Sequence, residues 1–275
     1  MTALNAPNFL VIGAQKAGTT YLCSKISAHP DIYFSPNKEP LFFHRNFSGA
    51  AYSQYLSTHF AGVKAQTWIG EGSTVYFQVP RALDNISKVL SPDIKIIICL
   101  RQPTEKAVSA YLHNWKRGKY PAPVSILDAP AIANGLGPRR SSLYYQHVLR
   151  WLSIYSRRQI EIILFDRLKE DPVGFVSQAL NFLGVDGIVD ADPEPVNKGA
   201  DLVWDGDVLT VQNPRHRWRP EIRKSELLQL HESYLQDIER LDDLLHLGIS
   251  HWKELPKFSD AHRSSDLLSI LRKRA

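Results

Sequence analysis

The five consecutive residues Ile96-Ile97-Ile98-Cys99-Leu100 carry no polar side chain, whichever alternate positions are taken as one face. A strand of that kind must be covered on both sides, as a central strand of a parallel sheet is. Parallel neighbours are joined by crossovers, so helical segments should lie between strands. The rest of the chain follows that rule. Strand patterns at Phe9–Ile12, Ile32–Phe34, Thr67–Ile69, Lys95–Leu100 and Ile160–Phe165 alternate with helical patterns at Thr19–Ala28, Ala50–Phe60, Pro80–Leu90, Thr104–Lys116, Ser142–Ser156 and Pro172–Leu183. The fold class expected is α/β, a parallel sheet flanked by helices on both faces.

Periodicity disappears from Asp186 to Pro220, which reads as a long loop, and returns in an amphipathic helix expected over Glu221–His246. No internal repeat or low-complexity linker interrupts the chain. It reads as a single domain, residues 1–275, ending in a basic tail at 263–275.

Composition excludes little. A net charge of +5 is too small to imply nucleic acid, but it suits a polyanionic small molecule if the basic residues converge. Cys23 and Cys99 sit among apolar neighbours and read as buried thiols rather than a disulfide. The apolar run Phe9–Ile12 has no basic residue before it, and no stretch approaches the ~20 apolar residues of a membrane span. The expectation is a soluble, cytoplasmic protein. No His/Cys/Asp/Glu cluster has metal-ligand spacing, so no metal is implied.

The first strand runs into Gly13-Ala14-Gln15-Lys16-Ala17-Gly18-Thr19-Thr20, where a helix begins. A glycine-bracketed turn between strand and helix gathers backbone N–H groups at one point, and the helix dipole adds positive charge there. The spacing is P-loop-like, except that Thr19 stands where the nucleotide-triphosphate loop has its lysine, while Lys16 lies inside the loop. A second anion site follows the central strand. Arg101 lies at the carboxyl edge of the sheet, where such folds place ligands, and Ser109 comes two helical turns later. Arginine offers a planar fork for phosphate oxygens.

The segment Gln-Lys-Ala-Gly-Thr-Thr after an apolar strand resembles the 5′-phosphosulfate loop of sulfotransferases that use 3′-phosphoadenosine 5′-phosphosulfate (PAPS). The closest likeness is to the glycosaminoglycan branch and its bacterial relatives. Arg101, Pro103 and Ser109-Ala110-Tyr111 are similar to the family's 3′-phosphate segment. Lys38-Glu39-Pro40-Leu41-Phe42-Phe43 resembles Lys-Glu-x-x-Phe-Phe, and Glu71-Gly72-Ser73-Thr74-Val75-Tyr76-Phe77 resembles Glu-Lys-Ser/Thr-Pro-x-Tyr-Phe. The likeness covers about residues 8 to 185.

The resemblance implies that Gln15, Lys16, Ala17, Gly18, Thr19 and Thr20 bind the donor's 5′ end, with Lys16 also catalytic beside the leaving oxygen. Arg101 and Ser109 would take the 3′-phosphate. Glu39 matches the base of the glycosaminoglycan branch, with Glu71 as a supporting contact. Small-molecule relatives use a histidine, which keeps His44 and His113 in play. Two departures stand out: Gly72 replaces a lysine many glycan sulfotransferases carry, and the family's Lys-Gly-Arg loop is reduced to Asn197-Lys198-Gly199, leaving Arg215 or Arg217 to close over the donor. Arg217 is the preferred candidate. The implied reaction moves a sulfuryl group to a hydroxyl or nitrogen of a glycan or small-molecule metabolite. A P-loop kinase and a non-enzymatic polyanion binder are the alternatives; no nucleic-acid motif is present, and the oligomeric state stays open.

Overall fold

Most strand residues in the larger sheet are buried, and every residue of β1 is, so both faces are covered, as the apolar runs require. The computed structural model describes residues 5–120, 122–131, 135–186, 202–211 and 220–260. The first elements are β1 (Phe9–Gly13), α1 (Thr19–Ile26), β2 (Ile32–Phe34), α2 (Gly49–Phe60), β3 (Trp68–Gly72), α3 (Pro80–Val89), β4 (Lys95–Leu100) and α4 (Pro103–Lys116). After them come α5 (Tyr145–Leu152), β5 (Ile160–Leu164), α6 (Phe165–Glu170) and α7 (Pro172–Leu183). The chain forms two compact units, one from Met1–Arg101 with Gln146–Val196 and one from Gln102–Tyr145 with Asn197–Ala275.

The first unit holds a parallel sheet of five strands, in the order β2-β3-β1-β4-β5, flanked by helices. This is the expected α/β class. Strand β1 lies between β3 and β4, with Phe9 opposite both Gly70 and Lys95. Gly70 is a packing requirement: a Cβ there would come within 2.2 Å of the Phe9 ring. Trp151 of α5, 1% exposed, donates to the Phe77 carbonyl at 3.2 Å and ties that helix to the segment after β3. The expected strands recur, with β3 extended to Gly72. The helix expected at Ser142–Ser156 is shorter, and α6 follows β5 without a loop.

The second unit contains α4, then β6 (Leu202–Asp205), β7 (Val208–Val211), β8 (Ile222–Arg223), α8 (Lys224–Glu232), α9 (Leu235–Leu245) and β9 (Ser259–Asp260). Its sheet runs β8-β7-β6-β9, with β6 and β7 forming an antiparallel hairpin. Here the expected loop is corrected. Apolar strands turn at Asp205-Gly206-Asp207, and Gly206 takes φ 59 in the turn. The long helix expected over Glu221–His246 is two helices, broken at Ser233-Tyr234. The Ser233 hydroxyl donates back to the Leu230 carbonyl at 2.6 Å, and buried Tyr234 donates to the Arg139 carbonyl at 3.1 Å. The basic tail lies outside the described residues; among the described residues no helix is long and apolar enough to cross a membrane.

Candidate active site

Three adjacent parallel strands, β3, β1 and β4, end side by side, and the chemistry-bearing residues of the first unit follow each of them. Their ends are stitched together. The Ser73 amide donates to Val11 at 3.1 Å, the Phe77 amide to Ile12 at 3.0 Å, and the Ala14 amide to Cys99 at 2.6 Å.

The loop after β1 crosses into α1 through Lys16 at φ 68 and Gly18 at φ 84. Gly18 is the helix N-cap and brings no side-chain cap, and no acidic residue occupies the first turn. The first amides of α1 therefore lack both an intrahelical acceptor and a capping carboxylate, which leaves their positive end available to an anion. Ala17 and Thr19 are buried, Gln15, Lys16 and Gly18 half-buried, and Thr20 exposed. A side chain at Gly18 would meet Leu168, Phe165 and Phe175 at 3.0, 3.1 and 3.2 Å, so α6 and α7 back the loop closely.

Arg101 follows β4 and reaches this loop. Its Nη1 donates to the Lys16 carbonyl at 3.4 Å, and its guanidinium lies 4.5 Å from the Phe165 ring centroid. A guanidinium laid over an aromatic face is held in orientation as well as charge. The cation is thus kept beside the turn after β1 by a helix the sequence pattern did not reveal.

Glu39 lies at the end of β3, its amide donating to the Gly72 carbonyl at 2.9 Å. Thr74 Oγ1 donates to Glu39 Oε1 at 2.8 Å, and Lys38 Nζ lies 3.4 Å from the same oxygen. The carboxylate is 35% exposed, open enough to meet a substrate. Its backbone is left-handed at φ 64, as is Leu41 at φ 55, conformations that cost about 1–3 kcal/mol each for residues with side chains.

What holds this strained segment is a buried cluster. Glu71 is 0% exposed and accepts from Ser73 Oγ at 2.7 Å, Tyr76 OH at 2.9 Å and Tyr55 OH at 3.3 Å. Burial raises its carboxyl to about 7, with the three hydroxyls pulling the other way. The sequence signal for this cluster was present, since Glu71, Ser73 and Tyr76 fall within six residues.

His44 stands differently. It is 6% exposed, its Nε2 accepts from Arg45 Nε at 3.3 Å, and burial, then the Arg45 charge, lowers its pKa. It is packed rather than presented. His113 and Ser109 belong to α4 in the second unit, both half-exposed. Arg215 and Arg217, with Asn197-Lys198-Gly199, lie outside the described residues.

Gly72 has a packing counterpart to its missing lysine: a Cβ there would come 2.9 Å from Cys23 Sγ and 3.3 Å from Phe34. Cys23 and Cys99 are both buried free thiols, and burial pushes Cys23 up to about 12. Among the described residues no three His, Cys, Asp or Glu are grouped so as to hold a metal ion.

A family model described as a sulfotransferase domain matches residues 6–198. Heparan sulfate glucosamine 3-O-sulfotransferase 6 of Mus musculus is 31% identical over 194 residues, covering 66% of this chain and 54% of that protein. The Homo sapiens protein of the same name is 32% identical over 191 residues, with the same two shares. The chain therefore spans about half the length of the curated relatives it matches. Among solved structures, a sulfotransferase from Alicyclobacillus acidocaldarius is 28% identical with a TM-score of 0.69, covering 91% of this chain and all of that one.

Proposed function

Since the chain belongs to the sulfotransferase-domain family, we propose that it moves a sulfuryl group from PAPS to a hydroxyl or nitrogen of an acceptor. The observation that carries this is the uncapped start of α1 behind Lys16, with Arg101 following β4 on one side and Glu39, in the segment after β2, bonded to the end of β3 on the other. An anion fits that turn for electrostatic reasons alone. The PAPS resemblance adds the donor's identity, and the relatives' names favour a glycan acceptor, with a small-molecule metabolite as the broader class.

In this reading Lys16 and the amides of Ala17 to Thr20 hold the 5′-phosphosulfate, and Arg101 takes the 3′-phosphate. Glu39 accepts the acceptor's proton as the new bond to sulfur forms and the bond from sulfur to the phosphate oxygen breaks. The departing product is 3′-phosphoadenosine 5′-phosphate (PAP). Lys16 stabilises the oxygen that gains charge, which is where a cation lowers the barrier most. The roles given to Gln15, Ser109 and Arg217 rest on sequence likeness; a cytoplasmic location is proposed separately, and cell fractionation tests it.

Calorimetry with PAP and with adenosine 5′-monophosphate tests the donor assignment. Wild type should prefer PAP, and Arg101→Ala should lower that preference by roughly ten- to a hundredfold, the worth of a charge-assisted contact of about 1.5–3 kcal/mol. A variant that discriminates as well as wild type removes Arg101 from the 3′-phosphate. Labelled PAPS offered with glycan oligosaccharides and with small alcohols and amines then identifies the acceptor. Turnover of ATP with Mg²⁺ in place of PAPS would favour the kinase alternative instead.

A further inference from the structure

We propose that Glu71 is a positioning residue for the acceptor side of this site, fixing the segment that carries Glu39 through the hydroxyls of Ser73 and Tyr76. This deepens the sulfotransferase reading and rests on it. The connection is continuous. Ser73 Oγ accepts from the Leu41 amide at 3.1 Å while donating to Glu71 Oε2 at 2.7 Å. Tyr76 OH accepts from the Phe42 amide at 2.8 Å and the Phe43 amide at 3.2 Å while donating to Glu71 Oε1 at 2.9 Å. Each hydroxyl has one proton, and above about pH 7, where Glu71 is ionised and accepts only, both protons are committed inward, so the oxygens turn their lone pairs to the loop.

Three consecutive amides are thereby held by two hydroxyls whose orientation one buried carboxylate dictates. The segment needs holding, because Glu39 and Leu41 on either side of Pro40 both take left-handed backbone. Thr74, one residue beyond Ser73, then holds the Glu39 carboxylate itself. A glutamine at position 71 would keep the shape but point an N–H₂ group at one of these hydroxyls, and that hydroxyl would turn its proton away from Glu71's place. A chain of this kind carries a function-linked carboxylate without letting it touch substrate.

Hydrogen exchange and kinetics on wild type, Glu71→Gln and Tyr76→Phe test the inference. Exchange at Phe42 and Phe43 should quicken by roughly tenfold in Tyr76→Phe, about one lost hydrogen bond each, and in Glu71→Gln at Leu41 or at Phe42 and Phe43 according to which hydroxyl turns, while β1 and β4 amides keep their rates. With labelled PAPS and a desulfated heparan sulfate oligosaccharide, kcat should fall by about tenfold or more with the KM for PAPS unchanged. Unchanged exchange at residues 41–43 overturns the inference, and so does equal quickening throughout the unit, which would mean plain structural loss. If Glu71→Gln does not fold, Tyr76→Phe and Ser73→Ala decide. Wild type that fails to bind PAP sinks the donor reading, and the exchange result remains readable separately.

Discussion

Replacing Gly18 by alanine puts two separable penalties on the turn between β1 and α1. The residue sits at φ 84, so a Cβ carries the left-handed backbone cost of about 1–2 kcal/mol. The new methyl would also lie 3.0 Å from Leu168, 3.1 Å from Phe165 and 3.2 Å from Phe175, tighter than ordinary contact, and overpacking of that kind costs typically about 1–3 kcal/mol. Together the loss should be roughly 2–5 kcal/mol. Gly184 supplies the internal reference: it has φ 70, with nothing within 4 Å of its would-be Cβ. Gly184→Ala therefore reports the backbone penalty alone. Urea unfolding of both variants, read at an unchanged slope, gives the packing share by difference. PAP calorimetry on Gly18→Ala should show weakened binding as well, because the displaced turn carries the amides. Equal losses in the two variants would refute the close backing of the loop by α6 and α7.

Lys16→Ala should lower kcat by roughly 10²-fold with much less effect on PAPS affinity, measured by single-turnover transfer, since its contact strengthens as the leaving oxygen gains charge. Glu39→Gln should lower kcat by about 10²–10⁴-fold with PAP binding intact, while His44→Ala should act mainly on Tm; the reverse pattern would return the proton transfer to histidine. Lys106 on α4 is 1% exposed, donates to the Ser141 hydroxyl, and is lowered by burial to about 7 from 10.5. Between those values the unfolded chain binds more protons than the folded one, so this group's penalty is full below pH 7 and fades as pH rises to 10.5. Lys106→Met should therefore stabilise by up to about 5 kcal/mol in urea unfolding at pH 6 and by little at pH 10; a gap that widens with pH would contradict this.

The sheet was legible because most of its strands announce themselves by short apolar runs, and β4 alone forces coverage on both faces. The apolar pattern of β3 stops at Ile69, where Gly70 and Glu71 follow. No periodicity reveals that a carboxylate will be buried against three hydroxyls supplied from α2 and the next turn. The β6–β7 hairpin was missed although Asp205-Gly206 is a strong turn signal, because it sits inside a stretch rich in other loop residues. The break between α8 and α9 leaves apolar spacing intact on both sides, so only the back-bonded Ser233 and the buried Tyr234 expose it. At the site, the loop around Lys16 and the place of Arg101 were readable from spacing. The Phe165 ring beneath Arg101 and the packed state of His44 depend on contacts between segments far apart in sequence, which spacing does not encode.

The close approach of Gly72 to the Cys23 thiol makes two distant positions a single evolutionary variable. A lineage cannot acquire a lysine at position 72 by one substitution without driving its Cβ against a sulfur 2.9 Å away. The thiol must first become smaller, or α1 must shift on the sheet. Sequence change at the two positions should therefore be ordered, with residue 23 permissive for residue 72, and grafting a second cation into this site begins with an interior cysteine that never meets the substrate.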